Sequence, residues 1–347
     1  MAAPVTVLDG SRKPESSANA EHQARGRRKN VGLTLVLLAG ITATTSAQDY
    51  PKRPVRMVLS FGAPGGAPDT IARTLAPKLS ELWGQQLVVD PRSGAGGILG
   101  TEIVAKAAPD GYTIVLVSPS HAINPALHAK LPYDAAKDFN AVTQLAEVPN
   151  IISVHPGLAA RTVKELIALA KAKPGSLSYG SAGIGSSQHL AGELFKEMAG
   201  INLVHVPYKA ASATNIDLIA GRIQLAFGST ASVPYIRSGK LVGLAVTTAK
   251  RNSAVPDLPT VAESGLPGYE AAAWYGVLVP AGTSRSIIAK LHHDFTQAAQ
   301  LPDVRQQQSA LAIEPTVSAS PAAFAAFIDR ERAKWGDLVR KSGAKAE

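Results

Sequence analysis

Two kinds of residue in this chain could act on a small molecule: serines near histidines, and glycines that bare the backbone where a helix begins. Both meet in Tyr179-Gly-Ser-Ala-Gly-Ile-Gly-Ser-Ser-Gln-His-Leu190. Glycines at 180, 183 and 185 let the backbone approach a ligand with no Cβ in the way. The unpartnered amides of a first helical turn, at the positive end of the helix dipole, hold anions. Ser186 or Ser187 is placed either to cap that helix or to touch the ligand. The competing chemistry is nucleophilic. Ser181, Ser186, Ser187, His121, His189 and several aspartates make an α/β serine hydrolase of small esters or amides the natural enzyme alternative. Against it, Ser181 sits in Tyr179-Gly-Ser-Ala-Gly183, which is not a Gly-x-Ser-x-Gly elbow. Ser187 and His189 stand two apart at a helix start and point in different directions. His189 therefore reads as a helix-surface or interdomain hydrogen-bonding residue rather than a base.

The elements around this run are a short strand before it and an amphipathic helix after it, Ser187–Met198, with Leu190, Leu194 and Phe195 on one face. The same device occurs twice more. Val55–Phe61 is an apolar run followed by Gly62-Ala-Pro-Gly-Gly-Ala-Pro-Asp69, then a helix from about Thr70 to Leu82 with Ile71, Leu75, Leu79 and Leu82 on one stripe. Asp69 is the expected N-cap, and Pro68 suits a helix entrance. Gln86–Asp90 then leads into Gly94-Ala-Gly-Gly-Ile-Leu-Gly100 and a helical run to Lys106. That third turn lacks the last glycine of the dinucleotide fingerprint, which leaves a nicotinamide enzyme as a remote third reading.

Composition removes other classes. The 347 residues leave room for two domains with substantial cores. There is no cysteine, so thiolate catalysis, cysteine metal sites and disulfides are excluded. The eight histidines include no His-Glu-x-x-His, and His292-His293 on a helix reads as solvated, so no metal or cofactor is expected. At the N-terminus, Arg25-Gly-Arg-Arg-Lys-Asn30 precedes an apolar run, Val31–Ile41, and the small residues Thr45-Ser-Ala47. This is an export-signal pattern, with cleavage expected near Ala47. Residues 1–47 are set aside as leader and extension. They hold six of the 35 Lys/Arg and three of the 26 Asp/Glu, leaving 29 against 23. With aromatics at 5% and the basic residues scattered, nucleic acid is not an expected partner.

The rest alternates strand and helix, the α/β pattern. Tyr112–Val117 is a strand ending in Ser118-Pro-Ser-His121, and Leu131–Phe139 reads as a polar loop. Ala141–Val154, broken by Pro149, suits a crossover. Thr162–Lys173 is a helix stopped by Pro174-Gly175. Strands follow at Leu203–Tyr208, Ile223–Phe227, Leu241–Thr247 and Ala271–Val279, and helices at Thr214–Ala220, Val233–Ser238, 284–299 and 321–341, with Leu301–Ala312 also helical. Trp83, Trp274 and Trp335 read as structural. Tyr275 could wall a cleft or fill core, and Tyr208 and Lys209 could edge a cleft or lie in a surface loop.

An ordered series of segments carries a family resemblance. It comprises Tyr50-Pro-Lys-Arg-Pro-Val-Arg56, Ala63-Pro-Gly-Gly66 with Asp69, Gly94-Ala-Gly-Gly97 with Gly100, Ala108-Pro-Asp-Gly-Tyr-Thr113, and Ile123-Asn-Pro125. Leu131-Pro-Tyr-Asp134, Lys137-Asp-Phe139, Tyr179–Leu190, His205-Val-Pro-Tyr-Lys209, Leu258-Pro-Thr-Val-Ala-Glu263 and Ala273-Trp-Tyr-Gly276 continue it. In these the chain resembles the Bug family of periplasmic solute-binding proteins, the extracytoplasmic receptors of tripartite tricarboxylate transporters. The resemblance implies a type II periplasmic-binding-protein fold, two α/β domains with a ligand cleft between them. Domain 1 would be 50–150 plus 275–347 and domain 2 would be 151–274, with crossings near Pro149–Val154 and Ala272–Tyr275. It further implies a non-enzymatic, monomeric receptor for a small anionic carboxylate, delivering it to membrane-embedded transporter subunits. The expected ligand contacts in domain 1 are Phe61, Gly62, Ala63, Gly65, Gly66, Asp69, Ser118, Ser120 and His121. In domain 2 they are Ser181, Ala182, Gly183, Gly185, Ser186, Gln188, Tyr208, Gly228 and Ser229.

The chain departs from the family pattern in three places. The first loop reads Phe-Gly-Ala-Pro-Gly-Gly, where many members have Phe-Pro-Pro-Gly-Gly; Ala210 follows Lys209 in place of glycine; and Gly228 follows Phe227, where members often carry aspartate. The last leans the expected ligand toward one lacking a positive charge.

Overall fold

A computed structural model describes residues 50–62, 64–209 and 211–343. The expected leader 1–47 and Ala63 lie outside the described residues. The strands are β1 (Val55–Leu59), β2 (Leu87–Pro91), β3 (Thr113–Val117), β4 (Phe139–Val148), β5 (Ile151–Val154), β6 (Ser178–Ser181), β7 (Val204–Pro207), β8 (Leu225–Gly228), β9 (Val242–Val246), β10 (Ala273–Pro280) and β11 (Glu314–Pro315). The helices are α1 (Ala67–Trp83), α2 (Ile98–Ala105), α3 (Ser120–Leu127), α4 (Val163–Ala172), α5 (Ser187–Ala199), α6 (Ala211–Ile219), α7 (Val233–Arg237), α8 (Arg285–Gln300), α9 (Pro302–Ser309) and α10 (Pro321–Ser342). Among the described residues, no helix is long and apolar enough to cross a membrane.

The strands form two sheets, ordered β11-β4-β10-β3-β1-β2 and β7-β6-β8-β5-β9. In the first, β1 runs parallel to β2 and β3, while β10 is antiparallel to β3 and β4. In the second, β6 runs parallel to β7 and β8, while β5 is antiparallel to β8 and β9. Parallel neighbours need a crossover, and α1, α2 and α5 provide it. Each such unit delivers the chain to the carboxyl edge of its sheet, where ligands of open α/β sheets bind.

Amphipathic spacing explains the layers. On α1, Ile71, Leu75 and Leu79 are fully buried and pack into a cluster with Met57, Leu59, Ile114, Leu116, Val277, Leu291 and Phe295. A second cluster reaches from one sheet to the other, joining Val115, Val117, Ile123, Phe324 and Trp335 to Tyr179, Leu190, Phe195, Phe227 and Tyr269. Burying such side chains contributes about 1.5–3 kcal/mol each. Trp274 and Tyr275 both sit in core, which resolves the open reading of Tyr275.

The chain passes from the first sheet to the second between β4 and β5, and returns between β9 and β10. Asn150 stitches the two passages together. Its backbone N–H donates to Thr247 Oγ1 (2.9 Å), its side-chain amide to Ala271 O (2.8 Å), and its carbonyl accepts from Thr247 N (3.0 Å).

Two local expectations are corrected. The Ser118-Pro-Ser stretch opens α3, because burial of Ile123 and Leu127 outweighs the helix-breaking tendency of Pro125. Asp69 is not the N-cap of α1. The helix begins at Ala67, with Gly66 as an extended N-cap and Asp69 in the first turn.

Candidate functional site

Strand ends and helix starts gather the site residues at the carboxyl edges of the parallel strands. On the first sheet, Gly62 follows β1 with φ +99° and is packed so closely on Pro68 that a Cβ would reach its Cγ at 2.5 Å. The Asp69 carboxylate is buried and holds this loop from within. One oxygen accepts the Gly65 N–H at 2.9 Å, and the other accepts Arg73 Nε at 2.8 Å. The amides of Gly66 and Ala67 have no partner among the described residues. Phe61, before this loop, is half-buried.

Next to this loop, Ser118 Oγ lies 2.9 Å from Ser120 Oγ. Gly97 lies so close that a Cβ there would come within 3.1 Å of Ser120 Oγ. Asn124 donates to Gly96 O at 3.1 Å, and Ser60 donates to Leu116 O at 3.0 Å. Gly100 fits because its missing Cβ would stand 2.6 Å from Ser60 Cα. The glycine turn after β2 thus joins the turns after β1 and β3. Ser60 and Asn124 belong to this cluster although neither was in the expected set; the Ile123-Asn-Pro125 motif was the signal for Asn124. His121 stands apart from them, stacked on Tyr133 (6.4 Å) and edge-on to Phe139 (5.3 Å). Burial pushes its imidazole down to about 4.

On the second sheet, Ser181 ends β6 fully buried, and its Oγ accepts the Gly183 N–H at 3.2 Å. Gln188 Oε1 accepts the Ala182 N–H at 3.2 Å. Ser186 is the N-cap of α5. Its hydroxyl accepts from His189 N at 3.2 Å and donates to Gly183 O at 2.7 Å, which settles the cap between Ser186 and Ser187. Ser187 instead donates to Asn150 Oδ1 at 3.3 Å. A helix start leaves four amides without intrahelical acceptors. Those of Ser186 and His189 are met locally, while those of Ser187 and Gln188 have no partner among the described residues. Gly185, at φ +77°, places its missing Cβ 2.7 Å from Leu127 Cδ1, so this loop touches the end of α3.

Tyr208 donates to Asp217 Oδ2 at 2.8 Å, within the second sheet's own layer. Gly228 ends β8 beside Ser232 and Asn215, and Ser229 caps the following turn by accepting from Ala231 N at 3.3 Å. The residue 228 position offers no carboxylate to an ammonium group.

His189 is not on the helix surface. It is buried and stacked on His205 at 4.2 Å. His205 Nε2 lies 2.7 Å from Ser181 Oγ, a serine–histidine pair absent from the expected set. It makes a poor base, because burial pushes the His205 imidazole down to about 3. Among the described residues, no carboxylate bonds either ring to orient it, and no cluster of acidic or histidine side chains could hold a metal.

The two-sheet α/β architecture, with glycine-rich helix starts at the carboxyl edges, is shared with solved periplasmic solute-binding proteins, BugD among them (34% identity, TM-score 0.74, covering 86% of this chain and 100% of that one). The model of the tripartite tricarboxylate transporter family receptor matches residues 71–344. The chain belongs to that family, whose members are receptors and not enzymes. It is 36% identical to BugT of Bordetella pertussis over 313 residues, 89% of this chain and 95% of that one. Among solved structures it resembles Rpa4515 of R. palustris with adipate (38% identity, TM-score 0.76, covering 85% of this chain and 99% of that one). It also resembles MatC of Rhodopseudomonas palustris with bound malate (30% identity, TM-score 0.71, covering 84% and 100%).

Proposed function

We propose that this chain binds a small organic carboxylate between two domains, 50–150 plus 275–347 and 151–274, and delivers it to the membrane subunits of a tripartite transporter. The observation that carries the reading is the pair of helix starts, α1 and α5. Each sets two adjacent backbone amides, without a partner among the described residues, at the carboxyl edge of its sheet. Two such donors per side suit the two ends or the two oxygens of a carboxylate. Hydrogen bonds to a charged group contribute about 1.5–3 kcal/mol each. Four of them, with burial of the ligand, reach the roughly 8 kcal/mol of a micromolar complex. The relatives carrying adipate and malate support the ligand class. The lack of an acidic group at Gly228 supports a ligand without an ammonium group. Closure would turn on the stitched crossings around Asn150, with ligand favouring the closed form. The leader pattern of residues 1–47, with cleavage near Ala47, supports a periplasmic location.

A thermal-shift and calorimetric panel of adipate, malate, citrate, benzoate and glutamate tests this. A rise in melting temperature with a dicarboxylate and none with glutamate is expected. A panel in which no carboxylate moves the melting temperature of ligand-stripped protein overturns it.

A further inference from the structure

Two imidazoles at the β6–α5 loop have no part in the carboxylate reading. His205 comes from β7 and His189 from the first turn of α5, and their rings stack at 4.2 Å with 28° between planes. Tyr179 covers the other face of His205 at 4.8 Å. Each imidazole holds a different end of the loop. His205 Nε2 bonds Ser181 Oγ at 2.7 Å, and that hydroxyl in turn takes the Gly183 N–H. His189 Nδ1 accepts the Gly185 N–H at 3.3 Å.

We propose that the His189–His205 stack is the positioning element of the ligand loop: two neutral imidazoles hold Ser181–Gly185 in the shape that aims the α5 amides, and protonation of His189 releases it. The inference rests on the reading of this loop as a carboxylate clamp. The proton-sensitive contact is the one at Gly185. There Nδ1 is an acceptor only while unprotonated, so His189 is fixed as the Nε2–H tautomer. A protonated Nδ1 would face the Gly185 N–H donor to donor, and a second charge would repel across the stack. His205 can keep Ser181 in either state, since a ring N–H also donates to a hydroxyl oxygen.

The surrounding charges leave the neutral form in place. On α5, Glu193 favours the proton on His189, but its carboxylate is held by Lys196 at 2.8 and 2.9 Å and accepts the Tyr179 hydroxyl at 2.6 Å. Lys196 itself disfavours a charge on either ring. Tyr269 sends its hydroxyl to Ala191 O, and Lys341 of α10 pairs with Glu197. Burial is the largest influence on both rings and pushes His189 down to about 4.

The test uses amide hydrogen exchange of residues 181–186 in the ligand-free protein, together with calorimetry using adipate and malate as probes. His189→Ala is expected to speed loop exchange about tenfold at pH 7 and to weaken adipate or malate about tenfold, the loss of one buried hydrogen bond. The second half of α5 should keep its exchange rates. His189→Asn, whose Oδ1 stands near the position of Nδ1, should restore both readouts to within about threefold. In the wild type, loop exchange corrected for its intrinsic pH dependence should rise between pH 5 and 4, and this rise should vanish in His189→Asn. That pH series carries the test if His189→Ala fails to fold. Unchanged loop exchange in His189→Ala, or an acid-induced rise that persists in His189→Asn, overturns the proposal. If the wild type binds neither probe while loop exchange responds as expected, the carboxylate reading fails and the positioning role stands.

Discussion

The loop after β1 and the loop after β6 look alike as strings of small residues leading into a helix, yet they are held differently. In the first, one side chain closes the turn: Asp69 reaches back to the Gly65 N–H and forward to Arg73. Pro64 and Gly65 are exposed, and the N-cap Gly66 has no side chain to offer. In the second, Ser181, Gln188, Ser186 and His189 each satisfy an atom of the loop. It also abuts Leu127 and is half-covered. One half of the proposed clamp is braced by four of its own side chains before a ligand arrives, and the other is held by Asp69 and, at its start, by Ser93, whose hydroxyl donates to Gly62 O. Bracing in advance lowers the ordering cost of binding, so the two loops should respond differently to damage.

The largest effect is expected at Gly185. A valine there meets a positive φ and Leu127, and should cost about 3 kcal/mol or more in stability and abolish ligand response. Chemical denaturation and calorimetry check it; a cost below 1 kcal/mol would show the second loop to be as loose as the first. The pH dependence comes next. His121 and His189 are pushed down to about 4 in the folded protein, against about 6.5 when exposed. Between these values the unfolded chain binds more protons, so stability is complete above pH 6.5 and is lost as pH falls toward 4. The loss should be about 3 kcal/mol per ring, read from denaturation midpoints, and His189→Asn should flatten the slope.

Asp69→Asn removes the charge that closes the first loop while keeping its shape. It should cost about 2 kcal/mol, with a larger loss in carboxylate affinity than in melting temperature. Equal losses in both would mean that Asp69 supports the fold and not the loop. Ser186→Ala removes the α5 cap and should cost about 1 kcal/mol by denaturation. Gly65→Ala should have the smallest effect, roughly 0.5 kcal/mol. Its φ of +75° strains a Cβ, but the space beside it is open and the unfolded chain loses freedom. A clash-sized cost there would erase the contrast between the loops.

Much of the fold could be read from the chain because its signals are local. The stripe of Ile71, Leu75 and Leu79, the Thr162–Glu165 capping box and the glycine turns each follow from neighbours in sequence. Helix α3 was not expected after the strand ending in Ser118-Pro-Ser-His121, and its packing beside Phe324 and Trp335 shows why it forms. Asp69 was correctly placed at a helix start but given the wrong partner. An aspartate suits both a cap and a first turn, and the side chain's choice depends on the path of residues 62–66. The glycine loops themselves were within reach of sequence; the long-range hydrogen bonds that Ser60, Asn150 and His205 make were not.

The sequence by itself determined the alternating α/β plan, the three backbone-baring turns and the export-signal pattern, since hydrophobic period, turn chemistry and composition act between near neighbours. Only the tertiary structure decided which amides of those turns remain without partners among the described residues. It also decided that His189 faces inward onto His205, and that Asn150 ties both passages between the sheets. Those outcomes hang on residues far apart along the chain meeting at sheet edges, where burial and hydrogen bonding select among pairings that the string of residues leaves equally open.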